Sequence, residues 1–227
     1  MRNNKKFIIF SLIVFQVFSC ELLFGYDVEG WVKVNSPFPK PAEVIVPEKH
    51  VATCGAKKVS SKLKVSADGY VANAVVELKD VPSSSVQLSP KKFILDQQNC
   101  EFVPHALIVP KGSKVSILNS ESNLHNVRAF DEKAFMLFNL AMPPEAKPIN
   151  KHFDNPGRFL VRCGIHHWMH AFVIVQDHPY YALTDDSGHF KITGIPDGNY
   201  TLTVWHESLG EVKTEVGIKN KVVNVVY

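Results

Sequence analysis

Apolar and polar positions alternate along most of the chain in short runs, and turn-forming residues separate the runs. Asp27-Val-Glu-Gly-Trp-Val-Lys-Val34 predicts a strand, which the Pro-rich stretch Asn35–Pro41 ends. Val44–Val46 predicts a short strand, and residues 48–62 read as a loop carrying Cys54 and Gly55. After the turn signal Ala67-Asp-Gly-Tyr70, strands are expected at Asn73–Leu78, Val86–Leu95, Ala106–Val109 and Val115–Leu118. Residues 131–150, with Met142-Pro-Pro144, read as a long irregular loop. Lys151–Phe153, Gly157–Arg162 and Ala171–Val175 close this part as strands. The remainder repeats the style on a smaller scale. Tyr181–Thr184 runs into the turn Asp185-Asp-Ser-Gly188, His189–Ile192 alternates, and Pro196-Asp-Gly198-Asn is a strong turn. Tyr200–Trp205, Glu211–Ile218 and Val222–Tyr227 complete it. No long stretch has the period of an amphipathic helix. The expected class is all-β, with a sandwich for the first part and a second module too small to hold an independent core comfortably. That module must pack on the first domain or borrow a strand from residues 28–34.

The first 25 residues do not fit this texture. Met1-Arg-Asn-Asn-Lys-Lys6 is basic, and Phe7–Ser19 is apolar but too short to span a bilayer comfortably. This is the layout of a secretory signal, so the expected location is periplasmic, secreted or cell-envelope. Val17-Phe-Ser-Cys20 is an imperfect lipobox, which leaves lipid anchoring through Cys20 as an alternative and the one expected link to a membrane. Of 25 basic and 22 acidic residues, the segment holds Arg2, Lys5, Lys6 and Glu21, so the remaining chain is close to neutral. That removes any charge argument for a nucleic-acid partner.

Four cysteines are present. With Cys20 in the signal, Cys54 and Cys100 form the expected disulfide of an oxidising compartment. The competing reading is a second metal site made of His50, Cys54, Cys100 and His105. The fourth cysteine opens Cys163-Gly-Ile-His166-His-Trp-Met169, and Leu124-His125-Asn-Val127 lies upstream. One thiolate, two imidazoles and one thioether make the donor set of a type 1, or blue, copper centre. Soft sulfur favours Cu(I), while imidazole accepts both oxidation states, so such a set favours one-electron exchange without bond chemistry. The candidate ligands are therefore His125, Cys163, His166 and Met169, holding one copper ion.

At these residues the chain resembles the cupredoxins, most closely the plastocyanin and amicyanin branch. Asn119–Val127 is similar to their first-ligand segment, Cys163–Met169 to their ligand loop in its short form, and Phe153–Phe159 to the strand leading into the cysteine. The resemblance covers about residues 85–175. It implies a Greek-key β-sandwich, and a supporting role for Asn126 in tying the ligand loops together and donating to the cysteine sulfur. The family's loop usually has a proline beside the second histidine, where this chain has Ile165 and His167. Residues 179–227 resemble the carboxypeptidase-regulatory-like, transthyretin-like β modules at Thr184–Phe190 and Ile195–Tyr200. The expected division is thus a signal at 1–25, a cupredoxin-like domain at 26–176 with an N-terminal extension, and the β module at 177–227.

Other residues have plainer readings. His167 and His170 read as exposed loop histidines, Trp168 as packing beside the site, and His105 as a strand-edge residue. Trp205-His206-Glu207 reads as packing or an inter-domain hydrogen bond. Lys57, Lys58, Lys62 and Lys64 form a basic cluster that is either a solvated face or a steering patch. Phe135, Met136, Phe138, Leu140 and Met142 are either core or an apolar rim for a partner. The function expected is electron transfer to and from a redox protein such as a cytochrome, dehydrogenase or reductase, and not enzymatic catalysis. The rivals are copper delivery without redox exchange, and an interaction protein with a vestigial site. Multicopper catalysis needs further HxH histidine pairs, and the chain has none.

Overall fold

The computed structural model describes residues 25–81, 91–219 and 221–227. The expected signal, with its possible lipobox, and the first half of the expected strand Val86–Leu95 lie outside the described residues. In chain order the elements are β1 (Tyr26–Lys33), β2 (Glu43–Ile45), α1 (Glu48–Cys54), β3 (Lys57–Val59), β4 (Val75–Lys79), β5 (Phe93–Gln98) and β6 (Glu101–Val103). Then come β7 (Ala106–Pro110), β8 (Ser113–Ile117), β9 (His125–Phe130), β10 (Met136–Met142), β11 (Ile149–Phe153), β12 (Gly157–Cys163) and β13 (His170–Gln176). The last five are β14 (Tyr181–Leu183), β15 (His189–Ile195), β16 (Asn199–His206), β17 (Gly210–Gly217) and β18 (Lys221–Val226).

The protein is all-β. A five-stranded sheet, β10-β9-β12-β13-β7, faces a four-stranded one, β11-β8-β5-β6. Their inward residues, including Leu95, Val115, Val127, Val161 and Val173, share one apolar cluster with the Cys54, Cys100, Cys163 and Met169 side chains. Alternation decides which side chains enter it. Along β9, His125, Val127 and Ala129 are buried while Asn126, Arg128 and Phe130 are half-exposed. Along β12, Phe159, Val161 and Cys163 are buried.

The second sandwich does not follow the division expected at residue 177. Its sheets are β15-β1-β18 and β14-β4-β16-β17, so two strands from the beginning of the chain complete it. β1 lies between β15, antiparallel, and β18, parallel. β4 lies between β14 and β16, both antiparallel. The core joins Val28, Val32, Val76 and Leu78 to Phe190, Ile192, Leu202 and Val204. The physical reason is size: the C-terminal strands alone carry too little apolar surface, and β1 and β4 supply the missing half. Val75, Ala106 and Ile174 form a small third cluster that links the sandwiches.

Two local expectations are corrected. The loop expected at 131–150 contains β10, paired with β9 from Met136↔Phe130 to Met142↔His125. Pro143 and Pro144 follow the last paired residue, so they end the strand without interrupting it. Residues 48–62, expected as loop, contain α1 and β3. A helix of seven residues shows too little period to be read from pattern. Among the described residues, no helix is long and apolar enough to cross a membrane.

Candidate metal centre

β9 and β12 are antiparallel neighbours, and their register sets Cys163 opposite Val127. His125 and Cys163, on inward positions of the two strands, are thereby brought together at one end of the sandwich. The loop after Cys163 folds back at once: the Cys163 N–H donates to the Met169 carbonyl (3.1 Å), and the Met169 N–H to the His166 carbonyl (2.9 Å). This tight closure returns His166 over Cys163. His125 Nδ1 lies 3.8 Å from Cys163 Sγ. His166 Nδ1 lies 3.7 Å from the same sulfur and 3.0 Å from His125 Nδ1. Three donor atoms thus converge on one point, and all three residues are buried. Met169 is buried too, in the same apolar cluster.

The donor set fits a single soft-to-borderline ion. Nitrogen and thiolate ligands stand about 2.0–2.3 Å from such a metal, so ligands of one ion lie a few ångströms from one another. The tautomer of His125 also fits. Its Nε2 is 2.6 Å from Glu121 Oε2, a carboxylate that accepts from the Nε2–H and leaves Nδ1 as the ring atom facing the sulfur. The other oxygen of Glu121 accepts the Cys100 N–H (2.9 Å), so one carboxylate fixes both a ligand and the disulfide backbone.

The electrostatics favour the metal-binding forms of Cys163 and His166. Burial opposes ionisation of the Cys163 thiol. Hydrogen bonds from His125 and from the backbone N–H groups of Asn126, His166 and Ile165 outweigh it, and hold the thiol below its usual range. Burial acts against a charged His125 as well, but Cys163 and Glu121 together raise its pKa. Burial dominates at His166, with repulsion from His125, His50 and His167 adding to it, and brings it down to about 4. His166 is therefore neutral, as a ligand must be.

Asn126 ties the two ligand segments together through its backbone. Its carbonyl accepts the Gly164 N–H (3.0 Å), and its N–H is the one directed at the Cys163 sulfur. The side chain, on the opposite face of β9 from His125, pairs instead with Asn139 Oδ1 (2.7 Å) and accepts from Arg128 Nε (2.9 Å). A Cβ at position 164 would run into the Asn126 and Arg128 side chains, so any larger residue there must displace them.

Cys54 and Cys100 are joined in a disulfide, which removes the alternative metal site at His50, Cys54, Cys100 and His105. The bond lies against the centre: Cys100 Sγ is within 4.8 Å of the donor atoms of His125 and Glu121, and both sulfurs are within 4.8 Å of His166. It also fastens α1 over the ligand loop. The His50 ring meets His166 edge-on at 4.6 Å between centroids. Trp168 packs beside His166 at 5.2 Å and donates its indole N–H to the Cys100 carbonyl (3.1 Å). His166 is left only 2 % exposed.

His167 is exposed, as expected. His170 is not: it is buried and bonded to Glu207 through Nε2 (2.9 Å), because it opens β13 on an inward position. His105 is bonded to the same carboxylate. The basic cluster is partly neutralised, with Lys57 paired to Glu43 (3.1 Å) and Lys64 to Asp186 (2.6 Å). The candidate apolar rim divides between core and surface. Met142 is fully buried and Phe138 and Leu140 are half-buried, while Phe135 and Met136 are exposed.

Sequence reasoning missed Glu121, Gly164 and the α1 cap. Glu121 stands four residues before His125, but only the folded turn brings its carboxylate to the ring nitrogen.

No family model matches the chain, and no curated protein matches it. Solved structures do. A purple cupredoxin from Nitrosopumilus maritimus is 21% identical, with 37% of this chain and 100% of that one covered, at a TM-score of 0.34. An amicyanin from Paracoccus versutus is 18% identical over 44% of this chain and 97% of that one, at 0.34. A copper-containing nitrite reductase from Thermus scotoductus is 19% identical over 43% of this chain and 25% of that one, at 0.33.

Proposed function

We propose that this protein is an exported one-electron carrier that holds a single type 1 copper ion at His125, Cys163, His166 and Met169. The observation that carries the reading is the convergence of His125 Nδ1, His166 Nδ1 and Cys163 Sγ, mutually 3.0–3.8 Å apart, inside a buried apolar pocket. Copper bound there supplies a reversible one-electron couple. The chain's own residues do the rest. Glu121 and the closed Cys163–Met169 loop hold the ligands still. The apolar surroundings exclude water, and backbone N–H groups directed at the Cys163 sulfur favour its thiolate. Such rigidity suits electron exchange, because little has to move when the charge changes.

Burial of His166 under α1 favours an electron carrier over a delivery protein, since an ion to be handed on needs an open side. The partner class is then a redox protein such as a cytochrome, dehydrogenase or reductase. The module resembling transthyretin-like domains serves as structure, not catalysis. The Cys54–Cys100 disulfide supports an oxidising, extracytoplasmic location.

Optical and EPR spectra of the copper-loaded protein, beside Cys163→Ser, test the assignment. An intense visible sulfur-to-copper band that disappears in the variant is expected. Identical spectra for the two proteins would overturn it. A colourless protein that binds only Cu(I) would favour the delivery reading.

A further inference from the structure

A second group of ligand-type side chains lies where the two sandwiches meet. His105 immediately precedes β7, His170 opens β13, and Glu207 follows β16 in the turn toward β17. The first two belong to one sandwich and the third to the other. One ring nitrogen from each histidine and one Glu207 oxygen all lie within 4.8 Å of one another. His105 Nε2 bonds one carboxylate oxygen and His170 Nε2 the other, and each of the three side chains is about nine-tenths buried.

Both rings turn a nitrogen toward the same carboxylate. His170 Nδ1 lies 3.3 Å from the Trp168 carbonyl, which can only accept, so Nδ1 carries a proton. That leaves Nε2, 2.9 Å from a Glu207 oxygen, as the ring atom turned toward the carboxylate. His105 Nδ1 is buried with no partner among the described residues. The two Nε2 atoms and the carboxylate are close enough together to serve as ligands of one metal ion. Glu207 is already charged for it: burial opposes ionisation, but hydrogen bonds from His105 and His170 bring it down to about 2.

The cluster also has an open side. A groove of about 700 Å³ runs past His170 and Glu207, with Trp168, His167, Phe172 and Arg162 among its walls. Two imidazoles and a carboxylate with one position left to water is a donor set that zinc takes. Without a thiolate it has no preference for Cu(I).

We infer that His105, His170 and Glu207 bind a divalent ion of the zinc type, which pins the two sandwiches together and leaves a coordination position facing the groove. Because His170 directly follows Met169, the same ion anchors the end of the first centre's ligand loop.

The test separates this site from the copper centre. In a His125→Ala/Cys163→Ser background, which disables the first centre, the protein is loaded with zinc, dialysed and assayed for bound metal. One zinc per chain is expected, with a rise in the unfolding temperature and with visible ligand-field bands when cobalt(II) replaces zinc. Adding Glu207→Gln or His105→Ala should abolish retention and the temperature rise together. Glu207→Gln keeps the size of the side chain and one of its two acceptor oxygens, so it decides the matter if His105→Ala misfolds. No retained zinc in the parent background, or equal retention after Glu207→Gln, overturns the inference. In the first case the cluster is a hydrogen-bonded bridge, and in the second the ion lies elsewhere. Neither result depends on whether copper occupies the first centre.

Discussion

The imidazole of His50 stands edge-on against that of His166, with ring centroids 4.6 Å apart. One ring is a candidate metal ligand, and the other belongs to a short helix that a disulfide fastens over it. His166 is thus enclosed in part by the N-terminal part of the chain and is 2 % exposed.

Replacing His50 with alanine should open this enclosure. Oxidation of the Cu(I) protein by a small anionic oxidant such as ferricyanide, followed by stopped flow, should become faster. Stability should change by about 1 kcal/mol or less, since His50 is only partly buried. An unchanged rate would mean that the cap does not limit access.

Glu121 should matter to copper affinity without touching the metal. Removing the partner that orients a ligand histidine typically costs about 10- to 100-fold in affinity. Glu121→Ala should fall in that range in a competitive chelator titration. Glu121→Gln should fall less, because its amide oxygen still accepts the His125 proton. Equal losses would indicate that charge, not orientation, is the contribution.

Reduction of the disulfide, or Cys54→Ala/Cys100→Ala, should destabilise the protein by about 4 kcal/mol on chain-entropy grounds, since the bond spans 46 residues. It should also release α1 from the ligand loop. Denaturant unfolding measures the first effect. Faster loss of copper to a chelator measures the second.

His206 predicts an acid-side loss of stability. It is 2 % exposed. Burial chiefly, with repulsion from His105 and against the pull of Glu207, brings it from 6.5 down to about 4. The unfolded chain therefore binds the proton first as pH falls. The contribution is intact above the unfolded value, declines from about pH 6.5 toward 4, and is fully lost below that, on the order of 3 kcal/mol in all. Chemical denaturation across this window should give a flatter profile for His206→Gln than for the unaltered protein. An identical slope would exclude His206 as the source.

A chain ending at Gln176 should not be a trimmed copper domain. It strips β1 of β15 and β18, and β4 of β14 and β16, exposing Val28, Val32, Val76 and Leu78. Poor solubility and strong binding of a hydrophobic dye are expected. A soluble, cooperatively unfolding fragment would show that β1 and β4 find other partners.

The strands around the centre were legible because alternation there is regular and because Cys163, His166 and Met169 are close in sequence. β10 was not legible, since its side chains are apolar on both faces and a proline pair follows it closely. α1 was too short to show a period. His170 read as exposed because a histidine in a polar loop gives no sign of burial. Its partner Glu207 lies 37 residues away on another sandwich.

By itself the sequence determined the all-β class and the donor types gathered near residues 163–169, and it left two cysteines as candidates for a disulfide. Those follow from local pattern and from counting, which need no knowledge of distant contacts. Only the tertiary structure decided that Glu121 orients His125, that α1 and the disulfide close over His166, that β1 and β4 complete the C-terminal sandwich, and that His105, His170 and Glu207 meet. Each of these joins residues through strand register and sheet packing. Side chains far apart in the chain come within bonding distance only when β-strands choose their neighbours, and that choice is made by the burial of whole faces rather than by any local run of residues.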